Sequence, residues 1–276
     1  MRIDSHQHFW KYDPVKYAWI NEDMKVIRRS FLPEDLAPIL GSTHIDGCVS
    51  VQADQSEGET EFLLGFAEKN DFIKGVVGWV DLMADNVEDR LAHFSNNKWL
   101  KGIRHIVQEE PDDFMLRKDF QNGISKLSQF GQVYDILVYP TQLNASIELA
   151  RKFPDQPFVL DHIAKPYIKD KKIKGWEEGI KELAKHSNVL CKVSGMVTEA
   201  DWNNWNEEDF TPYLDVVFEA FGTDRIMFGS DWPVCLVAAE YQRGLNIVEH
   251  YIGQFTAEER VKVMGQNAVD FYNLND

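Results

Sequence analysis

The chain's chemistry opens on two histidines one residue apart, His6-Gln7-His8. If that segment is a strand, residues two apart point the same way and both imidazoles face one side. Two converging imidazoles bind a divalent metal or, without one, donate hydrogen bonds to a carbonyl oxygen. Near the other end, an apolar run leads into Phe228-Gly229-Ser230-Asp231-Trp232-Pro233, where a carboxylate is followed by a turn-forming proline. Asp231 is of the type that serves as a general base at neutral pH, although an aspartate before a turn also serves simply to cap backbone amides. Between these two lies Leu160-Asp161-His162-Ile163-Ala164-Lys165-Pro166, with His162 where an apolar run meets a loop. Judged singly, such a histidine is more often a satisfied structural residue than a ligand. Arg104-His105 adds a cationic donor, Tyr139 a hydroxyl and Lys165 an ammonium near further apolar runs.

These residues gather only if the fold carries them to one place. Short apolar, β-branched runs predict strands near 2–8, 45–52, 75–80, 101–107, 133–139, 157–162, 189–194 and 225–230. Amphipathic helical patterns lie between most of them, such as Phe62, Leu63, Phe66 and Ala67, or Leu214, Val217, Phe218 and Phe221. Asn144 is placed to cap a helix that Pro154 follows, and Thr211-Pro212 to open another. Strands alternating with helices imply a parallel sheet of βαβ units, and eight units close into a (β/α)₈ barrel, a TIM barrel; a doubly wound open sheet is the other arrangement. In a barrel every candidate above falls at the C-terminal strand ends, where active sites sit. Four strands ending in His, His or Asp side chains on one rim are hard to explain by stability. Residues 9–44 and 195–210 exceed what a barrel needs and read as rims or lids, or as ordinary surface packing.

The 276 residues form a single domain, 1–276, in this reading. Cys48, Cys191 and Cys235 show no framework spacing, which suggests reduced thiols in a cytoplasmic protein. No apolar run approaches a membrane span, and the opening residues lack the apolar core of a secretory signal. A formal charge of −16 repels nucleic acid and acidic membranes and favours a neutral small molecule as partner. There is no GxSxG elbow, no GxGxxG and no P-loop motif, so serine-hydrolase, dinucleotide and nucleotide readings lack support. The sequence leaves a homo-oligomer open.

As a set, HxH on the first strand, DHxxKP on the sixth, GSDWP on the eighth and GxNAxxFY (Gly265, Asn267, Ala268, Phe271, Tyr272) near the end resemble the amidohydrolase superfamily. The likeness is to its amidohydrolase-2 branch, and within that to the sugar-acid lactonase group. It implies a distorted (β/α)₈ barrel and hydrolysis of a small lactone. It also implies a site at His6, His8, His162 and Asp231 able to hold one divalent metal such as zinc. Many members add a lysine or glutamate on the fourth strand and a histidine on the fifth. Here those strands offer Arg104-His105 and Tyr139, so a binuclear centre is incomplete and catalysis without a metal is compatible with the residues. The expected mechanism has Asp231 activate water, His162 orient it, and His6 and His8 face the carbonyl oxygen with Arg104 or Tyr139. Trp10 and Trp232, together with His105 and Lys165, are expected to contact the substrate. Aromatic faces with few charges suit a neutral polyhydroxylated ring. The rivals are a zinc-dependent amide hydrolase or decarboxylase on the same scaffold, and a barrel that only binds.

Overall fold

The computed structural model describes residues 1–275. All eight expected strands form: β1 (Ile3–Gln7), β2 (Gly47–Val51), β3 (Ile73–Gly78), β4 (Leu100–Ile106), β5 (Val133–Leu137), β6 (Phe158–Leu160), β7 (Val189–Val193) and β8 (Ile226–Phe228). Each pairs in parallel with the next in chain order. A parallel bridge between Gln7 and Trp232 joins the last strand's end to the first. Two backbone bonds make that seam: His8 N–H to Trp232 O at 2.7 Å and Asp231 N–H to His6 O at 2.8 Å. The open-sheet alternative is thereby excluded.

One helix follows each strand: α1 (Pro33–Thr43), α2 (Glu57–Ala67), α3 (Val87–Phe94), α4 (Lys118–Leu127), α5 (Leu143–Lys152), α6 (Trp176–Leu183), α7 (Thr211–Phe221) and α8 (Tyr241–Ile252). Two short helices, α9 (Ala257–Val261) and α10 (Asn267–Phe271), close the chain. The stretch 9–44 is therefore not all connection, because its last third is α1, opened by Pro33 at its first turn. Asn144 does not cap α5 but lies inside it. Gln142 sets the entry instead, its side chain accepting from Tyr139 N at 2.9 Å and donating to Val107 O at 2.7 Å.

The barrel floor is apolar. Ile3, Val49, Val77, Val133, Val159 and Met227 meet there, and Val269, Tyr272 and Leu274 from the chain's last turns plug it. The closing motif has a physical reading. A Cβ on Gly265 would lie 2.1 Å from Met1 O, so only glycine lets that backbone approach the barrel's start. Asn267 Nδ2 donates to Thr223 O and Ile226 O, tying the plug to the beginning of β8. The three cysteines are buried and unpaired. No helix among the described residues is long and apolar enough to cross a membrane.

Candidate active site

Strand alternation decides which side chains enter the barrel. On β4, β5 and β7 the inward set includes Arg104, Asp135 and Lys192, all buried. β1 needs a correction to the simple rule, since Ile3 lies on the floor yet His6 and His8 also point inward. The register irregularity between Asp4 and Gln7 shifts the phase. Asp4, turned outward, pins this distortion. Its carboxylate accepts from Ser230 N (2.8 Å), Ser230 Oγ (2.6 Å), Tyr241 OH (2.9 Å) and His6 N (3.2 Å). Gly229 permits the approach, because a Cβ there would sit 2.7 Å from His6 Cβ. The same contacts therefore aim His6 and Asp231.

At the mouth, His8, His162 and Asp231 converge. His8 Nδ1 lies 2.7 Å from Val51 O and donates to it, which leaves Nε2 facing Asp231 Oδ1 at 3.3 Å. His162 Nδ1 contacts Ser194 Oγ at 2.9 Å, and its Nε2 stops 3.9 Å from the same carboxylate oxygen. That gap is too long for a direct hydrogen bond and leaves room for an atom both can touch. Burial pushes the Asp231 pKa up, but His162, the His8 hydrogen bond and Lys165 outweigh it and hold the carboxyl below its usual range. Burial drives His162 well below the ordinary imidazole value despite the pull of Asp231. The pair is thus a carboxylate beside a neutral imidazole at neutral pH.

Beneath it lies a second polar layer. Lys192 Nζ contacts Asp135 Oδ2 at 2.5 Å and Asp161 Oδ1 at 3.0 Å, and Arg104 Nη1 donates to Asp161 Oδ2 at 3.0 Å. Tyr272 OH, from the floor plug, donates to Asp135 at 2.8 Å. His6 belongs to this layer. Its Nε2 faces Arg104 Nη1 at 3.2 Å and must accept, because a guanidinium only donates. Its Nδ1 then faces Asp161 Oδ1 at 3.3 Å. Burial lowers the His6 pKa well below its ordinary value.

The segment after β6 has an uncommon backbone. His162, Ile163, Ala164 and Lys165 have φ of 54°, 48°, 58° and 48°, one turn of left-handed helix built without glycine. Such residues cost roughly 1–2 kcal/mol each relative to the right-handed form. Gly195, itself at φ 63°, lies against this turn, and a Cβ there would come within 2.6 Å of His162 Nδ1. The turn puts His162 and Lys165 on the same cavity wall.

That cavity has a volume of about 430 Å³ and is lined by His8, Arg104, Tyr139, His162, Lys165 and Asp231 among the residues expected from sequence. It is also lined by Glu199 and Trp202 from the loop after β7 and by Trp19 and Met24 from the loop after β1. Lys165 Nζ is paired with Glu199 Oε1 at 2.8 Å.

A family model described as Amidohydrolase matches residues 3–274. The chain belongs to the amidohydrolase family. Over 99% of its length it is 38% identical to an L-fucono-1,5-lactonase of Burkholderia multivorans, covering 96% of that protein. A crystal structure of a Burkholderia multivorans amidohydrolase with bound zinc superposes with a TM-score of 0.95, at 38% identity and 99% coverage of both chains. An L-rhamnono-gamma-lactonase of Scheffersomyces stipitis is 23% identical over 63% of this chain and 59% of its own.

The amidohydrolase donor set fits one divalent cation. Ligand atoms of His6, His8 and Asp231 lie within 4.8 Å of one another, two nitrogens and a carboxylate oxygen of the kind zinc accepts, with His6 Nε2 having to release Arg104 Nη1 to join them. At His8, Nε2 and the Asp231 carboxylate face one another at 3.3 Å, a contact that either a proton or a cation between them completes. His6, Asp161 and His162 form a second such group, but Arg104 and Lys192 already supply its positive charge. A second ion is not accommodated.

Several expected contacts lie elsewhere. His6 is fully buried below the cavity, behind Arg104. His105 alternates outward on β4 and stacks on Phe114, 4.9 Å between ring centres. Trp10 packs between Tyr17 and Phe31 and donates to Arg29 O, so it braces the β1 loop instead of meeting substrate. Trp232 turns outward against Phe9 and Phe31. Arg104 touches the cavity, yet its Nη atoms are taken by Asp161, His6 and Gln52. Glu199 was missed because nothing in Met196–Glu199 marks a single acid; only the length of the loop after β7 pointed there. Asp161 was legible, since it stands two residues after the inward Val159.

Proposed function

We propose that this amidohydrolase is a cytoplasmic lactonase, a single catalytic unit over 1–276 that opens a neutral sugar-acid lactone of the L-fucono- or L-rhamnono- type. The observation that carries the reading is the cavity in which a carboxylate held ionised and a neutral imidazole approach one point from two strand ends. Charge decides against an acidic substrate. The cavity's two cations, Arg104 and Lys165, are already paired with Asp161 and Glu199, so no free guanidinium fork awaits a dicarboxylate. The Lys165–Glu199 pair instead offers a donor and an acceptor side by side, the complement of neighbouring hydroxyls. Tyr139 and Trp202 supply aromatic wall for the ring's carbon face. The names and similarity of the lactonase relatives support the same class.

In the reaction, Asp231 takes a proton from a water that His162 Nε2 orients. The water oxygen bonds to the lactone carbonyl carbon, and negative charge moves to the carbonyl oxygen. Tyr139 OH and Lys165 Nζ, both on the cavity wall, stabilise it as preorganised donors. A divalent cation held by His6, His8 and Asp231 would polarise that carbonyl when bound. The tetrahedral carbon then expels the ring oxygen, which receives the proton from Asp231, and the open hydroxy acid leaves. His6 serves from below by keeping Arg104 and Asp161 in place.

The test is a proton-release assay over a panel of aldonolactones, on protein of measured metal content, before and after chelation. Turnover is expected on six-carbon deoxy-lactones, with at most partial loss on chelation. Silence on every aldonolactone, beside turnover of an acidic aromatic substrate, would transfer the site to the decarboxylase reading.

A further inference from the structure

We infer that Trp176 is a positioning residue for this reaction: its indole N–H locks the left-handed turn that aims His162 and Lys165 into the cavity. Four successive residues without glycine do not hold left-handed geometry by themselves, and Ile163, being β-branched, resists it most. Something in the surroundings must over-determine the turn. Within it, Lys165 N–H bonds to His162 O at 2.8 Å. From outside it, two side chains reach the turn's backbone, both at Ile163. The Cys191 thiol meets the Ile163 peptide, and Trp176 Nε1, the stronger donor, gives a hydrogen bond to Ile163 O at 2.7 Å, in a buried contact thirteen residues away in sequence. Trp176 is the first residue of α6, almost fully buried, and its ring packs on Tyr213 of α7 at 5.4 Å. The donor is therefore fixed by two helices of the outer layer. Ile163 and Ala164, the middle of the turn, are completely buried, so no water replaces the indole.

The consequence is specific. The turn's ends are the water-orienting imidazole and the ammonium that pairs with Glu199. Releasing the middle moves both at once, so turnover and substrate affinity fall together. Trp176 touches neither substrate nor reacting atoms, and it acts through Ile163 O alone.

The kinetic readout rests on the lactonase reading; a structural readout does not. W176F keeps an aromatic ring in the pocket and removes the donor. On the best aldonolactone it is expected to lower kcat at least tenfold and to raise KM. A164G, placed at φ 58°, relieves the strain that the indole restrains, because glycine adopts this region freely. A164G alone is expected within threefold of the parent, and W176F/A164G is expected to recover most of the lost kcat. If W176F fails to fold, the double variant is expected to fold. A crystal structure of W176F should show residues 162–165 leaving the left-handed region, whatever the substrate proves to be. The proposal is overturned by a preserved turn in that structure. It is equally overturned by W176F turnover at the parent level, by a loss that A164G does not relieve, or by a double variant that stays unfolded.

Discussion

The barrel interior holds two polar layers a few ångströms apart, and they are built on opposite terms. In the lower one, Asp135, Asp161, Lys192 and Arg104 balance two negative charges with two positive ones, at separations of 2.5–3.0 Å. In the upper one, Asp231 has only His8 at 3.3 Å and His162 at 3.9 Å, and it borders an open cavity. Both layers put charge where burial is costly. The lower layer meets that cost within the protein, and His6 at its top is its one member that also belongs to the donor set above. The upper layer leaves lone pairs facing one another, an arrangement satisfied only by water, a proton, a cation or a substrate. Catalytic capacity in this barrel follows from incomplete pairing, and the lower layer's role is to hold the upper one still.

The sharpest way to break this contrast is Asp231→Asn. If the upper layer does chemistry, loss of the general base should lower kcat by roughly 10²–10⁴-fold. The melting temperature should stay near the parent value, since a weakly paired charge has been removed. Parent-level turnover would reject Asp231 as the base. The mirror experiment is Asp161→Asn below it, read by urea unfolding at several pH values. Removing one partner from a buried ionic network costs about 3–5 kcal/mol. Burial alone would raise the Asp161 pKa, but Lys192, His6 and Arg104 hold it well below the usual carboxylate range. A depressed carboxyl contributes stability that is fully present above its unfolded pKa of about 3.9 and is lost as pH falls through the folded value. The gap between parent and variant should therefore be widest near neutrality and narrow in acid. A gap that is independent of pH would mean the carboxylate's charge is not what matters.

The two layers were unequally legible in the sequence. The strands were read correctly because each is a short apolar run bounded by turns, and the barrel followed from their alternation with helices. His8, His162 and Asp231 stood out because each interrupts such a run at its C-terminal end. The lower layer was largely hidden. Asp135 and Lys192 sit mid-strand, where a charge is ordinarily a solvated residue of an exposed face, and only barrel closure turns both inward. Trp10 and Trp232 misled for the opposite reason. Trp232 is adjacent to Asp231 and so faces the opposite way, whereas Trp10 lies beyond the end of β1, where its backbone pairs with Phe31 and draws the ring into the loop. The left-handed turn at His162–Lys165 had no sequence signal, because nothing in those residue types favours it. Glu199 entered the site through loop geometry that periodicity does not reach.

The smallest expected effect tests whether the layers are truly separate. Tyr272→Phe deletes one hydroxyl, the donor from the floor plug to Asp135. Burial already raises the Asp135 pKa to about 6, against the opposing pull of Lys192 and the Tyr272 hydrogen bond. Without that bond the carboxyl titrates higher still. A hydrogen bond to a charged acceptor contributes about 1.5–3 kcal/mol, and the lower end is expected because Lys192 still pairs with Asp135. Thermal unfolding should register that loss while kcat on the best lactone stays unchanged. If kcat fell instead, with the melting temperature preserved, the disturbance would have travelled from Asp135 through Lys192 to His6 and upward. The lower layer would then be part of the catalytic machinery, because Lys192 Nζ stands 3.2 Å from His6 Nδ1 and the His6 ring in turn packs against His8 and His162.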